Sequence, residues 1–383
     1  MIKYNYSNHF IDNYDKKNVL EALNSKKLTK GKYLNIFESK IKKIVNAKYC
    51  IAMTNASCAL IAALKSLNIK KNDVVWCSDN TYIATINCAL HLNSKIDLVD
   101  ISLKDFNICV NSLKHKLLNT SKKKLPKFLI ITHIAGYPCD LKEIYKLSKK
   151  YKFKIVEDAS HAIGAKYYKD RIGNCKYSEL AVFSFHPAKI ITSAEGGAIT
   201  TNNLKVFKKL QYLRENGHDF SKNKYQNIDV NYYNIKELGF NFRLNELNCA
   251  LGASQLNKLK KFINYKNKLA KNYFLKLNKK KFIFPKYNLL TKSSSWHLFI
   301  IRLNFQNMNK SKNNIINFLK KSGILVKTHY PPLSTFTLIK KKISASIKHP
   351  NVKEYYKSAF SIPIYYGLTF KDQKKIIKIL NKV

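Results

Sequence analysis

Short apolar runs alternate with amphipathic stretches along the first two-thirds of the chain. "YCIAMTN" (49–55) is an apolar run broken by Thr54 and Asn55, and "ASCALIAALKSL" (56–67) follows with helical spacing. The order then recurs as "DVVWCS", "YIATINCALHL", "KIDLVDI", "KFLIITHI", the loop "AGYPCD", "LKEIYKLSKKY" and "FKIVED". Runs this short suit strands buried on both faces, and helices between them imply a mostly parallel sheet covered on both sides. Ahead of them, "NVLEALNSKKLTKGKYLNIFESKIKKIV" has helical spacing interrupted by a turn at Thr29-Lys30-Gly31. Beyond about Leu256 the texture changes to a Lys-rich helix, followed by "SWHLFIIRL", "GILVKTHY" and a closing helix from about Lys371. The expected class is α/β. A large domain covers residues 1–256 and a smaller α+β domain covers 257–383, with residues 1–30 able to pack on the small one.

Charge changes this picture less than its size suggests. The net charge of +47 arises from 70 basic against 23 acidic residues among 383, and only Arg171, Arg214, Arg243 and Arg302 are arginine. Nucleic-acid readers rely on arginine forks or a localised basic stripe, whereas lysine here is spread over the whole length. No specific nucleic-acid partner is expected. No window approaches the length of a membrane span and no secretory signal is evident, so the expectation is a cytoplasmic protein without a membrane partner. The eight cysteines (Cys50, Cys58, Cys77, Cys88, Cys109, Cys139, Cys175, Cys249) form no C-x-x-C pair. They are expected to be reduced thiols, with no metal site.

Candidate chemistry gathers where strands are expected to end. In "TNASCAL", Ala56, Ser57 and Cys58 open a helix whose free N–H groups, beside the Ser57 hydroxyl, suit a phosphate; a plain helix cap explains the same residues. In "IVEDASHAIGA", Asp158 ends an apolar strand with His161 close behind. That pattern fits either a capping carboxylate or an anion kept for a ring cation. In "AVFSFHPAKIITSAEGGAITTNN", Lys189 stands between apolar residues, five positions after Ser184, with His186 between them. A desolvated lysine loses its proton more readily and becomes a nucleophile for carbonyls, although a surface lysine that keeps its head in water is the common alternative. In "ELGFNFRLNELNCALGASQL", Asn241 and the scarce Arg243 precede an amphipathic helix.

A phosphate cradle, an anion for a ring nitrogen and an imine-forming lysine together match the demands of pyridoxal phosphate. The combination "EDASHAIGA…FSFHPAKIITSAEGGAITTNN…GFNFRLNEL", running in this order, resembles the DegT/DnrJ/StrS sugar aminotransferases. The likeness extends from "LTKGKYLNIFE" to "SIPIYYGLT". It implies the pyridoxal-phosphate-dependent transferase fold of type I and an active site shared across a homodimer. It also implies Lys189 as the Schiff-base lysine and proton shuttle, Asp158 as the pyridinium partner and His161 as a contact on the ring-hydroxyl side. Tyr82 would stack on the ring; Ala56, Ser57, Cys58 and Ser184 would hold the phosphate, with Asn241 reaching it from the partner subunit. Thr29, His186, Arg243, His329 and Tyr330 would lie near the substrate, a nucleotide-linked 4-keto-6-deoxy sugar, with UDP favoured and glutamate as amino donor. Two departures stand out: Ala56 replaces the glycine of the family's Ser-Gly-Thr phosphate turn, and Tyr82 replaces its usual Phe or Trp. Other nucleotide-sugar aminotransferases, of perosamine or dTDP-sugar type, and a non-catalytic regulator that binds polyanions remain open at this point.

Overall fold

A computed structural model describes residues 2–219, 232–308, 310–343 and 348–383. Its strands begin with β1 (Tyr49–Met53), β2 (Val74–Ser78), β3 (Lys95–Val99), β4 (Phe128–Thr132) and β5 (Lys154–Asp158). The short β6 (Lys166–Tyr167) and β7 (Asp170–Arg171) form a side hairpin, and β8 (Leu180–Ser184) and β9 (Gly197–Thr201) return to the main sheet. That sheet has the order β1-β9-β8-β5-β4-β2-β3. It is parallel except for β9, which runs antiparallel to both β1 and β8. Every residue of β4 and β8 is buried, as the unbroken apolar runs require when helices cover both faces. The expected α/β architecture is the observed one.

Helices α1 (Asn13–Leu23), α2 (Lys32–Val45), α3 (Ala56–Ser66) and α4 (Ala84–His91) precede or connect the first strands. Buried Tyr33, Leu34, Phe37, Ile41 and Val45 recur at helical spacing in α2, and Asn46 stops the helix in the left-handed conformation (φ 59°). Its first turn is capped from a distance: the Glu246 carboxylate accepts the N–H groups of Gly31, Tyr33 and Leu34 at 3.0, 2.7 and 3.1 Å. Those are the donors that a helix start leaves unpaired. The break expected at Thr29-Lys30-Gly31 is therefore also the point where α2 is tied to the helix Glu246–Leu256.

One long helix, Leu259–Lys276, joins two cores. Its Leu259 and Phe262 pack with the main sheet, while Leu269, Ala270 and Tyr273 pack with the antiparallel strands Phe282–Ile283, Phe299–Leu303 and Ala359–Ile362. Tyr4 belongs to the second core and bridges Ile324, whereas α1 packs on the helix Glu246–Leu256. The N-terminal segment thus touches both units. All eight cysteines are free thiols. Among the described residues no helix is long and apolar enough to cross a membrane, and no group of His, Cys, Asp or Glu is arranged to hold a metal.

Candidate active site

The ends of β4, β5 and β8 and the first turn of α3 border a cavity of about 590 Å³. Ala56, Ser57, Cys58, Tyr82, Asp158, His161, Ser184, His186, Lys189, His329 and Tyr330 all line it. Residues up to 274 positions apart in the chain therefore meet where open α/β sheets collect ligands. Thr29, Asn241 and Arg243 do not line this cavity in the single chain. Thr29 is exposed, Asn241 pairs with Glu215 through a backbone bridge, and Arg243 Nη1 lies 3.2 Å from Glu215 Oε2.

Asp158 is buried at the end of β5, and its orientation is fixed from two sides. Thr85 Oγ1 donates to Oδ2 at 2.7 Å and the Ser160 N–H to Oδ1 at 3.1 Å. Thr85 is itself held by Thr81, which also meets Thr132. Nothing in the amphipathic pattern of α4 marks Thr85, because its role depends on a contact 73 residues away.

Lys189 follows β8 in a tight turn, its N–H donating to the His186 carbonyl at 2.9 Å. The side chain reaches the cavity but is otherwise enclosed, and this burial pulls the amine from 10.5 to about 8, with the charge of Asp158 opposing the shift. An appreciable fraction is then unprotonated near neutral pH, as a nucleophilic lysine requires. The lysine is not a snorkelling surface residue.

Three further groups are kept uncharged by burial. Removal from water pushes His161 well below its ordinary value, and the neighbouring Lys189 adds to this. Its Nε2 meets the Tyr330 hydroxyl at 3.1 Å, while Nδ1 is sealed in protein without a partner among the described residues. Burial likewise lowers His329 to about 3 and raises the Tyr330 phenol. Both are anchored: His329 Nδ1 meets Ser361 Oγ at 2.8 Å, and the Tyr330 N–H donates to Asn80 Oδ1 at 2.9 Å. His186 is more exposed and accepts the Ala188 N–H through Nδ1, so it shapes the turn as well as bordering the cavity.

The start of α3 differs in one respect from the sequence expectation. Asn55 caps the helix by accepting the Cys58 N–H at 2.9 Å, so Cys58 offers no free donor. The N–H groups of Ala56 and Ser57 keep no partner among the described residues. They point as first-turn donors do, with the Ser57 hydroxyl beside them. Ala56 is accommodated as the first residue of the helix, where no special backbone angle is needed. The glycine that matters lies in β9. A Cβ on Gly197 would stand 2.5 Å from the Asn55 carbonyl and 2.7 Å from the Ala56 nitrogen, both backbone atoms. Gly197→Ala should therefore destabilise the chain by roughly 1–3 kcal/mol and weaken phosphate-ligand binding. Chemical denaturation and ligand titration of the variant check both effects.

The structure adds Tyr6, Glu195, His297 and Lys327 to the cavity wall. These come from the N-terminal strap, the loop before β9 and the segments that follow the helix Leu259–Lys276, and only the fold brings them together.

The sequence model of the DegT/DnrJ/EryC1/StrS aminotransferase family matches residues 9–381. The chain belongs to this family. As a DegT-family aminotransferase it is an enzyme, and its relatives extend over its whole length. It is 33% identical over 382 residues to a Campylobacter jejuni protein named UDP-4-amino-4,6-dideoxy-N-acetyl-beta-L-altrosamine transaminase, covering 99% of this chain and 98% of the relative. A Helicobacter pylori protein of the same name is 30% identical, with 98% and 96% covered. Among solved structures, the H. pylori aminotransferase PseC, described as involved in pseudoaminic acid biosynthesis, superposes with a TM-score of 0.90 at 28% identity, with 99% and 98% covered. A putative sugar aminotransferase from Streptococcus pneumoniae shares the fold, with a TM-score of 0.89 at 22% identity and 100% and 98% covered.

Proposed function

We propose that this DegT-family member uses pyridoxal phosphate to aminate C4 of a UDP-linked 4-keto-6-deoxy-N-acetylhexosamine. The product would be UDP-4-amino-4,6-dideoxy-N-acetyl-β-L-altrosamine and the amino donor glutamate. The names of the Campylobacter and Helicobacter relatives support the substrate class. The observation that carries the reading is the meeting of Lys189, Asp158 and the open N-terminus of α3 on one cavity.

The residues present suit the cofactor. The α3 N–H groups, Ser57 and Ser184 match a phosphate, the fixed carboxylate of Asp158 matches a pyridine nitrogen, and Lys189 supplies an amine of lowered basicity. When bound, pyridoxal phosphate supplies an electrophilic carbon and a ring that draws electrons.

The chain's own groups would then divide the work. Lys189 Nζ would hold the cofactor and, with its amine of lowered basicity, would carry the proton taken from the donor carbon. In the second half-reaction the same nitrogen would deliver a proton to C4 of the sugar. An amine near pH 8 can serve as both base and acid. Asp158 would stabilise a proton on the ring nitrogen, and Tyr82 would cover the ring face. His329 and Tyr330, anchored by Ser361 and Asn80, frame the side where a sugar enters. Over one cycle the donor leaves as its 2-oxo acid and its amino group replaces the keto oxygen. Asn241 and Arg243, away from their own chain's cavity, would serve the site of a partner subunit in a homodimer.

Incubation with glutamate and a panel of UDP- and dTDP-linked 4-keto sugars tests this reading. Amino-sugar product from a UDP-4-keto-hexosamine is expected by mass. Turnover confined to dTDP or GDP substrates would move the assignment to another sugar within the family. A protein that takes up no pyridoxal phosphate would favour a regulatory role.

A further inference from the structure

His297 is buried at 2% exposure on the cavity wall, with its ring centroid 4.2 Å from that of His161 at an interplanar angle of 44°. Its Nδ1 is sealed in protein and has no hydrogen-bond partner among the described residues. A buried polar atom left unpaired costs stability, and a phenylalanine would fill the same space without that cost. A histidine is worth keeping there if its other nitrogen is used. A neutral imidazole carries one proton; placing it on the sealed Nδ1 would bury an unpaired donor, so it belongs on Nε2, the remaining polar atom of a ring that borders the cavity.

The backbone before His297 is built to aim this ring. Trp296 adopts a left-handed conformation (φ 53°), which bulky residues avoid unless their surroundings enforce it. Two adjacent residues of the helix Leu259–Lys276 enforce it. Lys266 Nζ donates to the Trp296 carbonyl at 3.2 Å, and Trp296 Nε1 donates to Asn267 Oδ1 at 2.6 Å. Upstream, the Ser295 hydroxyl donates to the His161 carbonyl at 2.7 Å and the Ser295 N–H to the Gly136 carbonyl at 3.1 Å. Gly136 (φ 84°) leaves no room for a Cβ, which would lie 2.3 Å from Ser295 Oγ and 2.6 Å from the His161 carbonyl. His161 and His297 are thus fixed to each other and to the helix behind them. Lys266 is itself buried, with no carboxylate acting on it among the described residues, and its nitrogen serves this carbonyl.

We propose that His297 is a ligand-contacting residue whose Nε2–H donates a hydrogen bond to an oxygen of the bound cofactor, and that Lys266 and Asn267 position it through the Trp296 turn. This rests on the cofactor reading above.

Titration of the cofactor-free chain with pyridoxal phosphate tests it, using the parent and the variants His297→Phe, His297→Gln and Lys266→Met. The expected result is about a tenfold loss of affinity in His297→Phe, without a fall in the thermal stability of the cofactor-free form. His297→Gln, which keeps an N–H donor, should recover part of the loss, and Lys266→Met should show a smaller loss in the same direction. Parent-like affinity in both His297→Phe and Lys266→Met would overturn the proposal. So would equal losses in the Phe and Gln variants, which would mean that the ring's shape and not its donor matters. Should His297→Phe fail to fold, the Gln and Lys266→Met titrations still decide: parent-like affinity in Lys266→Met with a tenfold or larger loss in Gln counts against it. A parent chain that binds no pyridoxal phosphate would defeat the cofactor reading itself, a separate failure.

Discussion

Lys189→Ala is expected to lower amino transfer by at least about 10³-fold, because in the proposed function one side chain would supply both the covalent anchor and the proton shuttle. The chain should stay folded, since the substitution removes an enclosed amine rather than an apolar contact. A pH signature accompanies this loss. Burial holds the folded amine at about 8, against 10.5 when it is exposed. The rate at which the cofactor-free chain captures pyridoxal phosphate should therefore rise as pH increases through about 8, as the neutral amine becomes the main form. The stability effect has the same sign. Between about 8 and 10.5 the unfolded chain binds more protons than the folded one at this residue, so stability gained there grows with pH. Lys189→Ala should flatten that rise. Stopped-flow capture and denaturant titrations across the window measure both.

Asp158→Asn is expected to cost about 10²–10³-fold in rate. The amide preserves the shape and can still accept from Thr85 or Ser160, so the fold should hold. What would be lost is the negative charge proposed to keep the ring nitrogen protonated. Cofactor binding should weaken far less than turnover, since the phosphate contacts proposed at α3 would be untouched. Paired measurements of cofactor affinity and single-turnover rate separate the two. A variant that binds weakly but turns over normally once saturated would place Asp158 outside the chemistry.

Much of the fold is legible in the chain because local pattern and tertiary role coincide. The amphipathic stretch "LKEIYKLSKKY" is the observed helix Leu141–Tyr151, and the apolar run in "KFLIITHI" becomes β4, buried throughout. The antiparallel insertion of β9 between β1 and β8 is less visible. Its residues "GAITT" carry no mark of direction, which follows from the tight turn at Lys189 that folds the chain back. "GILVKTHY" shows the reverse case: an apolar run that makes only isolated bridges, Tyr4 to Ile324 and Lys327 to Ser361. It lies between the N-terminal strap and the small sheet rather than within a ladder.

The candidate site divides in the same way. Asp158 and the start of α3 could be found because each sits at the end of a strand or the beginning of a helix, where the local pattern changes, and Lys189 because it stands between apolar residues in the turn after β8. Thr85, Tyr6, Lys327 and His297 could not, since each owes its place to contacts with distant segments. Trp296 gives no warning of its left-handed backbone, because that conformation is imposed by Lys266 and Asn267 from another helix. Asn55 was visible as a polar break but not as the cap that takes the Cys58 N–H.

The most direct measurement is borohydride reduction of the purified chain after incubation with pyridoxal phosphate, followed by peptide mass mapping. A single stoichiometric phosphopyridoxyl group on the peptide carrying residue 189 is the predicted result. A label scattered over surface lysines, with that peptide unmodified, would contradict it.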